Sequence, residues 1–272
     1  MKKPLNDLPA KEWAKFSKSW FVLQTPPKSS SAKVLHPATF PETLVADFLR
    51  FFTREGDWVL DPFLGSGTTL VVCAQMNRNG IGIEIAPHWA KIAEERIAAA
   101  RTNLFISTTQ KVIVGDAADV DKMDIPPINF VITSPPYWCI LRTKGDMRKH
   151  QRAQRNLPTD YRDDNPKNLE NCPTYEDYMR ALVDIFAKVA HKMVDGAYMC
   201  IVVQNIKVYG KVYPLAWDLA LRLGAQPNIQ LCDEKIWCLD NTPLLVYGYP
   251  YAWMSNIMHR YCLIFRKVSS KN

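Results

Sequence analysis

Residues 131–138 have the sequence VITSPPYW, in which an apolar run ends at a serine, two prolines and two aromatic residues. Proline has no N–H group for a sheet ladder, so a buried strand is expected to end here. A strand end followed by a turn is the simplest interpretation, because Pro-Pro is common in loops. A hydroxyl, a rigid backbone and an aromatic pair also suit a ligand site, and other segments of the chain decide between the two.

A glycine-rich segment, DPFLGSGTT (61–69), follows an earlier apolar run. Gly65 and Gly67 allow a tight turn and a close approach of the backbone to a ligand. The helix expected after them offers free N–H groups that suit a carboxylate or a phosphate. The segment is neither a Walker loop nor a GxGxxG motif. A glycine-rich turn without a ligand is the alternative interpretation.

Two further acids follow apolar runs. Glu84 comes 23 residues after Asp61, where an acid is placed to bind both hydroxyls of a ribose. Asp116, in the sequence Gly-Asp-Ala, is placed to accept a hydrogen bond from an adenine amino group. Each acid taken singly could cap a helix instead. Together with the glycine-rich segment, they predict a site for an adenosine that carries no phosphate, since a bound phosphate would need a lysine.

Strand and helix patterns alternate along the chain, which predicts an α/β fold. We expect a doubly wound, mostly parallel, seven-stranded sheet with helices on both faces. In such a sheet, ligands bind at the carboxyl ends of the strands, where all four segments lie. The predicted strands are 57–60, 80–85, 111–116, 128–133, 197–203, 228–237 and 260–267, the predicted helices are 69–77, 87–101, 175–194 and 213–224, and residues 79–80 are predicted as a turn.

Composition limits the function classes. The chain has 272 residues, 47% of them hydrophobic, which is typical of a globular protein. Its net charge of +7 permits a polyanionic partner without requiring one. No apolar run approaches the roughly 20 residues of a membrane span, and the N-terminus lacks the apolar part of a secretory signal. Seven scattered cysteines without a CxxC pair argue against disulfides and zinc, and favour free thiols in a reducing cytoplasm.

The combination of DPFLGSGTT and TSPPYW resembles the amino-group DNA methyltransferases, which use S-adenosyl-L-methionine. Residues 36–49 resemble the segment of that family that holds the methionine part of the cofactor, and residues 259–267 resemble its last strand, so the resemblance covers about residues 36–267. It implies a Rossmann-like methyltransferase fold. The cofactor-binding residues that it implies are His36, Pro37, Ala38, Phe40, Asp61, Pro62, Phe63, Gly65, Ser66, Gly67, Thr68, Glu84, Ile85, Asp116 and Ala117, and the catalytic residues are Ser134, Pro135, Pro136 and Tyr137.

The SPPY segment would act on an exocyclic amine, which is a poor nucleophile because its lone pair is conjugated with the base. The resemblance implies that the Ser134 hydroxyl and the Pro135 carbonyl accept the hydrogens of this amine, and that the two prolines restrict the backbone. Tyr137 would stack on a base flipped out of the duplex. The acceptors would then stabilise the positive charge that develops on nitrogen during direct methyl transfer.

Serine as the first residue of the motif favours cytosine N4 as the methyl acceptor, since Ser-Pro-Pro-Tyr is mostly a cytosine-N4 signature in this family. Adenine N6 is the alternative. An RNA methyltransferase and a non-catalytic nucleic-acid-binding protein are two further alternatives. The chain has no length left for an added RNA-binding domain, and its intact motifs argue against a decayed enzyme. The family also implies double-stranded DNA as the partner, a cytoplasmic location, no metal and, in a restriction-modification system, a cognate endonuclease.

Three segments are candidates for DNA contacts. We expect an N-terminal arm (1–35), and a catalytic domain (36–272) with a DNA-contacting insertion at about 139–174 and an aromatic loop at about 240–256. The arm could pack on the core, cover the cofactor or touch DNA. The aromatic loop could enter the duplex or line the base pocket. Within the insertion, a basic run predicts phosphate contacts, with a solvated charge run as the alternative; its cations are Arg142, Lys144, Arg148, Lys149, Arg152 and Arg155.

The basic run yields a prediction that the salt dependence of binding can test. Charge reversal at Arg148, Lys149 and Arg152 should weaken DNA binding about equally for all sequences, because phosphates carry no sequence information. Each lost phosphate contact should reduce the slope of log K against log salt by about 0.9. Cofactor affinity and the midpoint of thermal unfolding serve as controls and should not change. If the triple variant keeps full activity and an unchanged salt slope, the basic run is a solvated loop without phosphate contacts.

Overall fold

The computed structural model describes residues 4–23, 41–100, 108–138, 167–208, 210–239, 244, 246, 249–251 and 253–269. The predicted cofactor residues His36, Pro37, Ala38 and Phe40 and all six cations of the basic run lie outside these ranges. The helices are α1 Ala10–Phe16, α2 Glu42–Phe52, α3 Thr68–Gln75, α4 Pro87–Ala100, α5 Tyr175–Lys192 and α6 Leu215–Gly224, with 3₁₀ turns at Ala117–Lys122 and Leu169–Asn171. The strands are β1 Trp20–Val22, β2 Trp58–Asp61, β3 Asn79–Glu84, β4 Gln110–Val114, β5 Ile128–Thr133, β6 Met193–Val203, β7 Ile206–Val208, β8 Lys211–Tyr213, β9 Ile229–Cys238 and β10 His259–Lys267.

The main sheet has the strand order β1-β9-β10-β6-β5-β2-β3-β4, and β7 and β8 form a separate hairpin. Strands β4, β3, β2, β5 and β6 are parallel, whereas β10 is antiparallel to both β6 and β9. The predicted doubly wound, mostly parallel α/β sheet is confirmed. The sheet has eight strands instead of the expected seven, because Trp20–Val22 pairs in parallel with Ile236–Cys238 at the sheet edge.

Helices cover both faces of the sheet. On one face, α5 packs on the sheet through Tyr178, Leu182 and Phe186, which are fully buried. On the other face, α2 contributes Phe48 and Phe52. A central strand is therefore buried on both sides, which explains why the sequence of β5, INFVIT, is almost continuously apolar.

The predicted turn at Asn79–Gly80 is wrong, since these two residues begin β3. Gly80 pairs with Val59 on one side and Gln110 on the other. A Cβ at this position would lie 2.9 Å from the Leu70 side chain, so glycine is needed here for close packing and not for a turn. The chain reverses earlier, at Asn77, which has a positive φ of 60°.

The N-terminal segment, which was expected to form an arm, adds β1 to the sheet and packs on α2. The Phe16 ring stacks on Phe51 with centroids 4.1 Å apart and meets the edge of Phe48 at 5.4 Å. The Lys235 ammonium donates to the carbonyl oxygens of Phe16 and Lys18 and lies 4.5 Å from the centroid of the Phe16 ring. Residues 4–23 therefore follow the core-packing interpretation.

Three of the cysteines, Cys73, Cys200 and Cys262, are buried in the core. Burial raises the pKa of the Cys73 and Cys200 thiols far above the usual value. Within the described ranges, no helix is long and apolar enough to cross a membrane, and no cluster of side chains suits a metal ion.

Removal of the Lys235 ammonium should loosen the N-terminal segment. In Lys235→Met, the two carbonyl oxygens lose a charged donor, and we expect the free energy of unfolding to fall by about 1–3 kcal/mol. Hydrogen exchange of residues 10–22 should accelerate more than exchange in the parallel strands. Lys211→Met, which changes an exposed lysine of β8, is the control. Equal exchange in the two variants would contradict the docking role of Lys235.

Candidate active site

The site lies where the direction of chain winding reverses. From β2 the chain proceeds to β3 and β4 on one side, and it returns to β5 and β6 on the other. A crevice opens at such a point between the carboxyl ends of the two central strands. Asp61 and Thr133 are the last residues of those strands, β2 and β5.

The Asp61 carboxylate joins three elements at this crevice. It accepts hydrogen bonds from the Thr133 hydroxyl at 2.6 Å and from the Thr69 hydroxyl at 2.5 Å. A third hydrogen bond, of 3.1 Å, comes from the Phe63 N–H. The end of β5, the first turn of α3 and the glycine-rich loop are therefore tied to one side chain at the end of β2. Asp61 was predicted to bind the cofactor, but it is only 1% exposed and both its oxygens already have protein partners.

Burial strongly affects the protonation of Asp61. Burial away from water raises the pKa of this carboxyl to about 6, although the hydrogen bonds from the two hydroxyls and from the Phe63 N–H lower it. The carboxylate is thus ionised at neutral pH, where it accepts all three hydrogen bonds.

The glycine-rich loop turns where the two glycines have positive φ values, 55° at Gly65 and 88° at Gly67. A Cβ on Gly67 would lie 2.7 Å from the Cβ of Ala93, so this glycine also lets α3 begin directly against α4. The Leu64 N–H donates to the Ile83 carbonyl at 2.9 Å, which holds the loop beside β3.

Glu84 connects the loop after β2 with the loop after β3. Its Oε2 accepts from the Gly65 N–H at 2.8 Å and its Oε1 accepts from the Ala86 N–H at 2.9 Å. Burial raises the pKa of this carboxyl, and the two backbone N–H groups act against that effect. Glu84 remains partly exposed, and each oxygen keeps a second lone pair that can accept from a ligand hydroxyl.

Asp116 follows β4 at the same edge. Its Oδ1 accepts from the Ala118 N–H at 2.9 Å and caps the 3₁₀ turn at 117–122. The Gly115 N–H donates to the Glu84 carbonyl at 3.0 Å, which brings the two acids to adjacent strand ends. Asp116 therefore does cap a helical turn, which was the alternative interpretation of this acid. Among the described residues, capping uses only one of its two carboxylate oxygens.

Exposure separates the predicted cofactor residues into two groups. Phe63, Gly65, Glu84, Ile85 and Asp116 are partly exposed and can face a ligand in the crevice. The buried group supports them from behind and comprises Asp61, Pro62, Ser66, Gly67, Thr68 and Ala117.

Arg96 is a supporting residue that sequence reasoning missed. Its Nη1 donates to the Ser66 carbonyl at 2.6 Å and to the Ser66 hydroxyl at 3.0 Å, while Nη2 pairs with Glu42 at 3.1 Å. No local signal in the sequence relates Arg96, on α4, to a loop 30 residues earlier.

The SPPY loop begins directly after Thr133, next to Asp61. Pro135 is buried, whereas Ser134, Pro136 and Tyr137 are partly exposed at the crevice. The hydroxyl of Tyr178 on α5 donates to the Pro136 carbonyl at 3.0 Å.

Aromatic residues hold the far end of this loop. The Trp138 Nε1–H donates to the Cys172 carbonyl at 3.0 Å. The Trp138 ring packs on Tyr175 and Tyr213, with centroids 5.6 and 5.1 Å away. The backbone of the loop is therefore fixed from both of its ends.

A family model described as DNA methylase matches residues 2–95 of the chain. The match contains the glycine-rich segment and Glu84 and ends before Ser134. The predicted resemblance to the amino-group DNA methyltransferases is confirmed. The match also supports S-adenosyl-L-methionine as the cofactor.

Similar curated proteins are methyltransferases by name. The chain is 46% identical over 69 residues to the Type II methyltransferase M.Cfr9I of Citrobacter freundii, and the matched segment covers 25% of this chain and 23% of that protein. It is 44% identical over 80 residues to the orphan methyltransferase M.BamHII of Bacillus amyloliquefaciens, and this segment covers 29% of this chain and 30% of that protein. The similarity thus spans less than a third of these relatives.

A solved structure shares the fold over most of the chain. A proposed rRNA methylase from Clostridium thermocellum matches with a TM-score of 0.52 and 15% identity, over 85% of this chain and 100% of that one. At this identity, the likeness concerns the fold alone, and it confirms the Rossmann-like methyltransferase architecture.

The raised pKa of Asp61 predicts a specific pH dependence of stability. A carboxyl with a folded pKa of about 6 and an ordinary value of 3.8 stabilises the fold most below about pH 4, and this contribution is lost as the pH rises through 6. The free energy of unfolding of the wild type minus that of Asp61→Asn should therefore fall by about 2 kcal/mol between about pH 4 and pH 7. Urea unfolding at several pH values measures this difference. Parallel curves would contradict it.

Proposed function

We propose that the protein is a site-specific DNA methyltransferase that methylates the exocyclic amine of a flipped base, with cytosine N4 as the acceptor. One observation carries the proposal. The Thr133–Asp61 hydrogen bond brings the SPPY loop and the glycine-rich loop together at the switch point of the sheet. A donor held by one loop and an acceptor held by the other would thus meet in one crevice.

The exposed groups of the crevice fit S-adenosyl-L-methionine. Glu84 offers two carboxylate oxygens at a strand end, which suits the two hydroxyls of a ribose. The free oxygen of Asp116 suits the adenine amino group, and the partly exposed Phe63 and Ile85 offer apolar contacts to the adenine ring. The glycine-rich loop contains no lysine or arginine for a phosphate. When bound, S-adenosyl-L-methionine supplies an electrophilic methyl group.

The residues of the SPPY loop prepare the acceptor amine. The Ser134 hydroxyl and the Pro135 carbonyl accept its two hydrogens, so that its lone pair turns away from the ring and towards the methyl group. Tyr137 stacks on the base and holds its plane. As the N–C bond forms and the bond from the methyl carbon to the sulfonium sulfur breaks, with S-adenosyl-L-homocysteine as the leaving group, the nitrogen would become positively charged. The same two acceptors would stabilise it until a proton leaves to solvent. No covalent intermediate with the protein is required.

The choice of cytosine N4 rests on the serine at position 134, and adenine N6 is the alternative. An amine on either base makes the same hydrogen bonds to Ser134 and Pro135. Digestion of methylated DNA to nucleosides, followed by mass spectrometry, distinguishes N4-methylcytosine from N6-methyladenine.

Double-stranded DNA is the proposed partner, with the protein in the cytoplasm and, in a restriction-modification system, beside a cognate endonuclease. The loop between β9 and β10 lies at the same sheet edge as Ser134, because β9 and β6 are both antiparallel to β10. Its Tyr249, Tyr251 and Trp253 are 81%, 96% and 88% exposed. Exposed rings at this edge suit stacking on bases, so we assign them and the basic run at 142–155 to DNA contacts.

Radiolabelled methyl transfer tests the proposal directly. Purified protein is incubated with labelled S-adenosyl-L-methionine and, separately, with PCR-amplified genomic DNA, transcribed RNA or casein. PCR-amplified DNA carries no earlier methylation, so every acceptor site is available. Label in DNA alone supports the proposal. Label in RNA alone would replace DNA by RNA as the substrate, and the absence of label from all three would exclude methyl transfer to these polymers.

Two variants should separate cofactor binding from chemistry. Ser134→Ala should retain cofactor affinity and lose at least about tenfold in rate, because one acceptor for the amine is absent. Glu84→Gln should weaken cofactor binding by about tenfold, since a charged acceptor for the ribose is lost. Calorimetry and single-turnover methylation measure the two effects, and Ser17→Ala, an exposed serine after α1, is the control. A wild-type rate in Ser134→Ala would remove the catalytic role of the loop.

A further inference from the structure

A cation at the start of β10 reaches the proposed base-stacking ring. Arg260 Nη1 donates a hydrogen bond of 3.1 Å to the Tyr137 hydroxyl. On the adjacent strand, Trp237 is the direct partner of Arg260 in the β9–β10 ladder. The guanidinium carbon lies 5.5 Å from the centroid of the Trp237 ring, which is itself buried. Trp237 thus supports Arg260, and Arg260 supports Tyr137.

Among the residues that the structure describes, one N–H group of Arg260 has no hydrogen-bond partner. Its Nε is buried and makes no hydrogen bond within the residues that the structure describes. A buried donor without an acceptor destabilises a fold. The position of the guanidinium is therefore poor for stability, while it brings Nη1 to the Tyr137 hydroxyl.

A second arginine on the same strand shows the contrast. Arg266 also lies over an aromatic ring, with its guanidinium carbon 5.3 Å from the centroid of Tyr198. Its Nε, however, donates to the Gly196 carbonyl at 3.1 Å. Arg266 is at the other end of β10, away from the SPPY loop, so the two arginines have similar ring contacts and different hydrogen-bonding positions.

We propose that Arg260 is a positioning residue that holds the Tyr137 ring in place for stacking on the target base. A tyrosine ring swings about its Cα–Cβ bond, and a hydrogen bond to the hydroxyl oxygen fixes the far end of the ring against this motion. A ring held in place before the base arrives lowers the entropy cost of forming the stack. The inference rests on the proposed methyl transfer and adds to it a residue outside both sequence motifs.

The first test compares matched variants on PCR-amplified DNA. Arg260→Gln should lower the single-turnover methylation rate by about tenfold to a hundredfold, the equivalent of one hydrogen bond to a charged group. The KM for S-adenosyl-L-methionine and the unfolding midpoint should stay near wild type. Arg260→Lys, which keeps a charged donor, should recover part of the rate. Arg266→Gln should retain the wild-type rate, although it loses a hydrogen bond that stabilises the fold.

A double-mutant cycle tests whether Arg260 acts through Tyr137. Tyr137→Phe keeps the ring and removes the hydroxyl that Arg260 contacts. If Arg260 only positions this ring, Arg260→Gln should have little further effect in the Tyr137→Phe background. Fully multiplicative losses would overturn the inference, since they would mean that Arg260 acts on the substrate or the fold independently of Tyr137. A wild-type rate for Arg260→Gln would overturn it as well.

A crystal structure of Arg260→Gln gives a readout that does not depend on activity. The Tyr137 ring should leave its wild-type orientation or become disordered, and an unchanged ring would overturn the inference. Failure of the proposed function is distinguishable, because the wild-type protein would then label no DNA. In that case, the ring orientation alone decides whether Arg260 positions Tyr137.

Discussion

A buried carboxylate at the switch point of the sheet connects all parts of the site. Asp61 accepts from Thr133 on β5, from Thr69 on α3 and from the backbone of Phe63. Removal of one partner of a buried charge leaves an uncompensated polar group, so these contacts depend on one another. Two loops with different proposed tasks, cofactor binding and catalysis, are thereby held at a fixed separation. The raised pKa of Asp61 is the electrostatic consequence of placing this acid in the core.

On the proposed cofactor side of the site, buried residues hold the loop in place and partly exposed residues face the crevice. Gly67 packs against Ala93, and Arg96 holds the carbonyl and hydroxyl of Ser66, so that the glycine-rich loop has little freedom. Glu84 both holds the loop and faces the crevice, because it accepts hydrogen bonds from two backbone N–H groups and remains partly exposed. A site built in this way is organised before its ligand arrives, which reduces the ordering cost of binding.

The proposed catalytic loop is held by aromatic residues from distant elements. The Tyr178 hydroxyl donates to the Pro136 carbonyl, and the Trp138 ring packs on Tyr175 and Tyr213. Arg260 reaches Tyr137 from β10, which is separated from β5 by β6 in the sheet. The loop is thus supported by α5, by the β7–β8 hairpin and by β10. Rigid support of this kind is what catalysis by positioned hydrogen-bond acceptors requires.

Local patterns determined the parts of the structure that depend on neighbouring residues. The apolar run INFVIT predicted β5 with its observed bounds, and the helix predicted at 175–194 is observed as α5 at Tyr175–Lys192. The glycine-rich segment and the three acids were located at strand ends, because the carboxyl edge of a parallel sheet follows from strand order in the chain. The resemblance to the DNA methyltransferases rested on these same short motifs.

The tertiary structure alone decided which residues meet across long separations. Asn79–Gly80 has the local signature of a turn, yet pairing with β2 and β4 makes it a strand. Trp20–Val22 is too short to signal a strand by itself, and it becomes one because the edge of β9 offers free backbone partners. Arg96 and Arg260 had no motif to mark them, since their contacts with Ser66 and Tyr137 cross 30 and 123 positions of the chain. Such contacts arise from sheet order and helix packing, which local propensity does not encode.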